Sequence, residues 1–222
     1  MLKSCTGKIL CVDLTEKSIR TETVPEKVYD ALLSGKGLAA WYLYRNIPAG
    51  ADPLGEDNIL AFVSGALTGT GALLCGRWTV ACKSPLTGTW GDANCGGVFS
   101  PAIKQCGYDG IFFSGISEKP VYLYCDNTKP ALSSVRPGHE DSGYAAAELL
   151  DQIFRGKKPK DRFGPSGWSA LLCVFCVFVV DGKAMVQRAA SLTQIHHGCK
   201  GSGNVGFGAF YGGLKIEAFC QV

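Results

Sequence analysis

Apolar residues in this chain fall in short blocks separated by Gly, Pro, Asn and Asp. Gly7–Leu14 (GKILCVDL) and Ser18–Thr23 flank Thr15-Glu16-Lys17, a spacing that predicts a β-hairpin. Pro25 suits the first position of a short helix, Val28, Ala31 and Leu32 give that helix an apolar face, and Gly35 marks its end. A second helix is predicted from Gly37 to about Asn46, before Pro48. Ile59–Val63 and Trp78–Cys82 read as strands, with polar turns at 52–58 and at Ser84–Gly88. Residues 64–76 (SGALTGTGALLCG) show neither period; their glycines let backbone come close to a neighbour. A helix is predicted from Val98 to Gln105, and Gly110–Ser114 with Val121–Tyr124 read as a strand pair. Ser142 caps a helix expected over 143–154. Leu171–Val180, Ala184–Ala190 and Leu214–Phe219 complete the strands. Strands dominate and do not alternate strictly with helices, so the expected class is α+β with mixed sheets.

Composition excludes more than it adds. Of 222 residues, 46% are hydrophobic and 18% charged, which argues for a packed core rather than disorder. A net charge of +3 is too small for a nucleic-acid partner, and the basic run 157–162 reads as a solvated loop. The 11 cysteines are odd in number and irregularly spaced, unlike a disulfide scaffold. Met1–Cys5 leads straight into a strand with no secretory pattern, so a cytoplasmic protein is expected. The longest apolar run, 170–180, is shorter than the roughly 20 residues of a spanning helix, so no membrane association is expected.

Two motifs carry less chemistry than they promise. Gly201-Ser202-Gly203-Asn204-Val205-Gly206 matches G-x-G-x-x-G, but no apolar strand precedes it and no acidic residue follows at the dinucleotide-binding distance. Cys173-Val174-Phe175-Cys176 lies in an apolar run, where positions i and i+3 of a strand face opposite ways; core cysteines are expected rather than metal ligands. Residues 75–97 are more informative. Arg77 beside Gly76 offers a planar charged fork for a phosphate or heterocycle. Asn94, ahead of Gly96-Gly97, can direct an amide and backbone N–H groups at an anion; the alternative is a Gly-rich turn with a surface arginine.

Around these residues the chain resembles the N-terminal domain of the aldehyde ferredoxin oxidoreductase family, tungsten enzymes with a bis-pterin cofactor. The likeness rests on the opening strand 7–15, Gly35-Lys36-Gly37-Leu38-Ala39, Asp52-Pro53-Leu54, Leu67-Thr68-Gly69-Thr70 and Lys83–Gly88 (KSPLTG). Gly107-Tyr108-Asp109, the segment 119–124 and Gly206–Gly212 follow in the family's order, while 127–197 match thinly.

The resemblance implies one domain over 1–222, built from two related sheet-containing halves, on which the cofactor rests. It places Arg77, Asn94 and Gly96 on pterin and phosphate contacts, and Asn94 also at a magnesium ion bridging the two pterin phosphates. Lys200-Gly201 takes the place of the Arg that grips the second pterin, keeping the charge but not the forked geometry. The cofactor is then a tungsten bis-pterin or molybdopterin. An aldehyde or related carbonyl compound is the substrate, and ferredoxin takes the electrons through a [4Fe–4S] cluster, in an anaerobe. The family's C-x-x-C-x-x-x-C cluster ligands lie in later domains and are not among these residues. This chain alone is therefore expected not to complete the reaction, and a non-catalytic pterin-binding scaffold or truncated remnant is the alternative.

Overall fold

The computed structural model describes residues 4–96, 99–117, 121–125, 130–134, 172–179, 204–211 and 214–221; from 172 onward it describes the course of the strands. The order is β1 (Lys8–Asp13), β2 (Ser18–Thr23), α1 (Glu26–Leu32), α2 (Lys36–Asn46), β3 (Leu60–Ser64), β4 (Trp78–Lys83), β5 (Trp90–Cys95), α3 (Phe99–Gln105) and β6 (Gly110–Ser114). Then follow β7 (Val121–Cys125), β8 (Ala131–Ser134), β9 (Leu172–Val179), β10 (Asn204–Tyr211) and β11 (Leu214–Gln221). The first six strands form one sheet, ordered β2-β1-β6-β3-β4-β5, and the last five another, ordered β10-β11-β9-β7-β8. The β1–β6 pair is parallel and the other described pairs are antiparallel, so the first sheet is mixed, as the α+β reading requires.

Strand alternation divides the core in two. Ile9, Cys11, Ala61, Val63 and Phe112 face α1 and α2, which contribute Tyr29, Leu38, Tyr42 and Leu43. On the opposite face Leu10, Val12, Phe62, Trp78, Val80 and Ile111 meet Phe99 and Ile103 of α3 and Leu123 and Cys125 of β7. The near-continuous apolar runs of β3 and β4 follow from burial on both faces.

Several boundaries differ from expectation. The Gly110–Ser114 and Val121–Tyr124 segments do not pair: β6 inserts between β1 and β3, and β7 joins the second sheet beside β8 and β9. Helix α1 stops at Leu32, and Gly35 caps the start of α2 instead of ending α1. A Cβ on Gly37 would lie 1.9 Å from the Leu32 carbonyl oxygen, so the G-K-G-L-A motif is a requirement of the tight α1–α2 junction. The glycine-rich stretch near 201–206 gives way to a strand at Asn204. The helix expected over 143–154 and the strand over 184–190 lie outside the described residues.

One buried carboxylate joins these parts. Asp109 has no exposed surface. Its side chain accepts bonds from the Thr6 N–H (3.0 Å), the Gly7 N–H (2.8 Å) and the Tyr29 hydroxyl (2.5 Å), and pairs with the Lys104 ammonium. That ammonium also donates to the Ser4 carbonyl at 3.1 Å. The Asp109 backbone continues the sheet, donating to Lys8 and accepting from Ser64. Burial alone would raise the carboxyl pKa, but the bonds from Lys104, Tyr29 and Thr6 outweigh it and hold the group below its ordinary value.

A depressed carboxyl pKa stabilises the fold above the unfolded value of about 3.9, and that contribution is lost as pH falls through the folded value. Lys104→Met strands the buried carboxylate and is expected to cost about 3–5 kcal/mol in urea unfolding at neutral pH. The deficit should narrow below about pH 4 as Asp109 takes up a proton; a deficit independent of pH would assign the loss to packing. Gly37→Ala is expected to lower stability by about 2 kcal/mol or more in the same assay, since backbone must move to admit the methyl group.

Candidate functional site

The antiparallel β4–β5 hairpin builds the site. Its turn, Ser84–Gly88, is closed by bonds from the Ser84 N–H to Thr89 (2.7 Å) and from the Gly88 N–H to Ser84 (2.8 Å). Asn58 pairs its amide with both backbone groups of Lys83, at 3.1 and 3.0 Å, and fixes the strand's exit. The K-S-P-L-T-G motif thus sets a turn and its anchoring. At the other end of the hairpin Thr79 stands opposite Asn94, which places Arg77 and Asn94 side by side. The Arg77 guanidinium donates to the Asn94 side-chain oxygen.

Arg77 is rigid at its backbone and exposed at its head. Its carbonyl accepts from the Gly65 N–H (3.1 Å) and from the buried Ser100 hydroxyl (2.9 Å). The Ser100 and Thr68 hydroxyls stand 3.0 Å apart, and Thr68 donates to the Cys75 carbonyl at 2.8 Å. The otherwise patternless 64–76 loop is therefore pinned through Gly65 and Thr68 to the strand that carries Arg77. A Cβ on Gly96 would meet nothing within 4 Å, so open space lies over the backbone just past Asn94.

Three further residues belong to this surface. Trp90, Asp92 and Asn94 alternate along β5, the sheet's edge strand, and so share a face. Asp92 accepts from the Trp90 indole (2.9 Å) and pairs with Lys36, the first residue of α2, at 2.5 Å. Two cations and one carboxylate leave this edge with one net positive charge, held on a half-open surface. Sequence reading missed Trp90, Asp92 and Lys36, because β5 is polar on its outer face and reads as a loop. The period-two spacing of 90, 92 and 94 was the available signal.

Arg77, Asn94 and Gly96 therefore lie together at the open end of the β4–β5 hairpin. Lys200 and Gly201 lie outside the described residues. Among the described residues no group of three or more His, Cys, Asp or Glu side chains could hold a metal, and no helix is long and apolar enough to cross a membrane. Cys173 and Cys176 both lie on β9, a strand as expected.

Among the described residues, cavities flank the sheet. One, of about 510 Å³, is bordered by Ser4, Thr6, Thr68, Gly69, Thr70 and Lys104, so the L-T-G-T loop forms its rim. Another, of about 370 Å³, lies at the far end of β1 and β6 beside Cys11, Arg20 and Tyr42. Burial pushes the Cys11 thiol up to about 11 despite its 3.1 Å contact with the Tyr42 hydroxyl, so it is protonated and not nucleophilic at neutral pH.

The chain matches the family described as aldehyde ferredoxin oxidoreductase, N-terminal domain, over residues 9–220. It is 41% identical to a tungsten-containing aldehyde ferredoxin oxidoreductase of Pyrococcus furiosus and 33% identical to one of Thermococcus kodakarensis, in each case over 96% of this chain and 32% of the relative. It thus spans about a third of the length of these curated relatives. A solved active-site complex BamBC of benzoyl coenzyme A reductase, with 1,5-dienoyl-CoA, shares 32% identity and superposes with a TM-score of 0.65 over 70% of this chain and 24% of that one.

The hydroxyl relay behind Arg77 gives a stability test. Thr68→Val removes a buried hydroxyl and leaves the half-buried Cys75 carbonyl without its side-chain donor, and is expected to cost about 1–3 kcal/mol. Combining it with Ser100→Ala should cost less than the sum of the two, because the hydroxyls share one network. Strict additivity in urea unfolding would show that they act independently.

Proposed function

The chain belongs to the aldehyde ferredoxin oxidoreductase family through its N-terminal domain, and on that footing we propose that residues 1–222 form a single domain cradling a tungsten or molybdenum bis-pterin cofactor. The observation that supports this reading most is the Arg77–Asn94 pair at the open end of the β4–β5 hairpin. An exposed guanidinium on an immobilised backbone, a neighbouring amide and open space over Gly96 suit a phosphate-bearing planar ligand.

When bound, the metal–pterin group supplies two-electron chemistry on an aldehyde or related carbonyl compound, and the protein supplies placement and charge. In this chain Arg77 grips the phosphate, Asn94 orients that guanidinium and offers an amide N–H₂, and Gly96 leaves room for the ligand. Lys36 neutralises Asp92, which would otherwise repel an anion on the same face. A magnesium ion, if bound, would be held by the Asn94 side-chain oxygen, which it would share or contest with Arg77. Lys200 and Gly201 are proposed to hold the second pterin. Ferredoxin as electron acceptor and a [4Fe–4S] cluster, held in the part of the enzyme that the relatives carry beyond this length, complete the proposed assembly.

The test is pterin retention, measured by fluorescence after oxidative release, in protein produced together with a cluster-binding remainder of the enzyme. Arg77→Ala is expected to lower bound pterin by about tenfold or more, since it removes a forked, charge-assisted contact. Lys36→Met should lower it less, and Lys27→Ala, on the exposed side of α1, should leave it unchanged. Equal retention in Arg77→Ala and Lys27→Ala would contradict this reading.

A further inference from the structure

The second sheet carries a juxtaposition that the cofactor cradle does not use. Cys125 on β7, Cys173 on β9 and Cys220 on β11 occupy one register row across three adjacent strands, with Cys173 in the middle. Directly opposed residues share a face of a sheet. The three positions therefore share one face of the sheet, and Cys125 among them is fully buried. A fourth cysteine stands alongside: Cys106, just past α3, donates its thiol to the Cys125 carbonyl at 3.4 Å.

The spacing decides what such a row can do. In an antiparallel sheet a residue forms a hydrogen-bonded pair with one neighbour, about 5.5 Å between Cα atoms, and a non-hydrogen-bonded pair with the other, about 4.5 Å. Both fall within the roughly 4.4–6.8 Å that a disulfide bridges.

We propose that Cys173 is the centre of a thiol–disulfide exchange site, bonding to Cys125 or to Cys220 while the third cysteine stays a thiol. The oxidant is a low-molecular-weight disulfide. Cys173, as its thiolate, attacks one sulfur of that compound and releases one small thiol; the neighbouring cysteine then displaces the second. Two protein S–H groups and one small disulfide become one protein S–S bond and two small thiols. The remaining cysteine can attack the Cys173 sulfur and move the bond to the other strand pair with no further oxidation. The central strand β9 is thereby covalently tied to β7 or β11. Because Cys125 is buried, the exchange proceeds through transient opening of this sheet.

The test uses the purified chain incubated with oxidised glutathione, quenched in acid, alkylated after denaturation and mapped by peptide mass spectrometry. Alkylation of Cys173 should fall by about tenfold, with two cross-linked peptides joining it to Cys125 and to Cys220. Cys11, outside the row, should alkylate fully. Cys220→Ser should leave only the Cys125–Cys173 bond, and Cys125→Ser only Cys173–Cys220. Cys173 alkylating as fully as Cys11, or bonded to a cysteine outside the row, overturns the proposal; the wild-type map decides this even where a variant does not fold.

Discussion

Asp109 is the constraint on which the first half of the molecule depends. A carboxylate without solvent contact is costly unless its charge and lone pairs are satisfied. Here Lys104, Tyr29 and two N–H groups of the N-terminal segment satisfy them together. Each partner sits on a different element, so the network closes only when α1, α3 and the chain entering β1 are in place at once. Such a pair adds little net stability over a packed apolar replacement, but it admits few alternative arrangements. The strand that follows Asp109, β6, then takes its place at the centre of the mixed sheet.

That sheet positions the candidate site at its edge. Ser64 accepts its register from Asp109, and the loop that leaves Ser64 is stitched through Gly65, Thr68 and Ser100 to the carbonyls of Cys75 and Arg77. The Arg77 backbone is therefore held by Gly65 and Ser100 while its guanidinium stays accessible. Edge strand β5 supplies the amide, the carboxylate and the indole, and α2 supplies the balancing lysine.

Much of the fold was legible in the sequence because its periodicities are local. The unbroken apolar run of β1, buried on both faces, and the Leu38-Ala39-Tyr42-Leu43 stripe of α2 appear directly in the hydrophobic pattern. Pairing was less legible. Gly110–Ser114 and Val121–Tyr124 are adjacent in sequence and both apolar, yet they belong to different sheets, since partner choice depends on contacts distant along the chain. Likewise β5 escaped notice because an edge strand with an open face need not be apolar. Arg77 and Asn94 were legible as chemistry beside glycine, but their contact with each other required the β4–β5 register. The roles of Lys36 and Asp92 required both the register and the packing of α2. Asp109 stood out only as part of a familiar tripeptide; its burial follows from the meeting of three elements that no local pattern records.

The central claim is that this fold serves to hold a metal-bearing pterin at the Arg77 edge. Its most direct measurement is the tungsten, molybdenum and pterin content of the chain isolated without oxygen in complex with a cluster-binding remainder of the enzyme. Metal would be read by elemental mass spectrometry and pterin by fluorescence of the oxidised product. The account predicts one tungsten or molybdenum and about two pterins per complex, the stoichiometry of a bis-pterin group. A folded, stable complex containing neither metal nor pterin would contradict it.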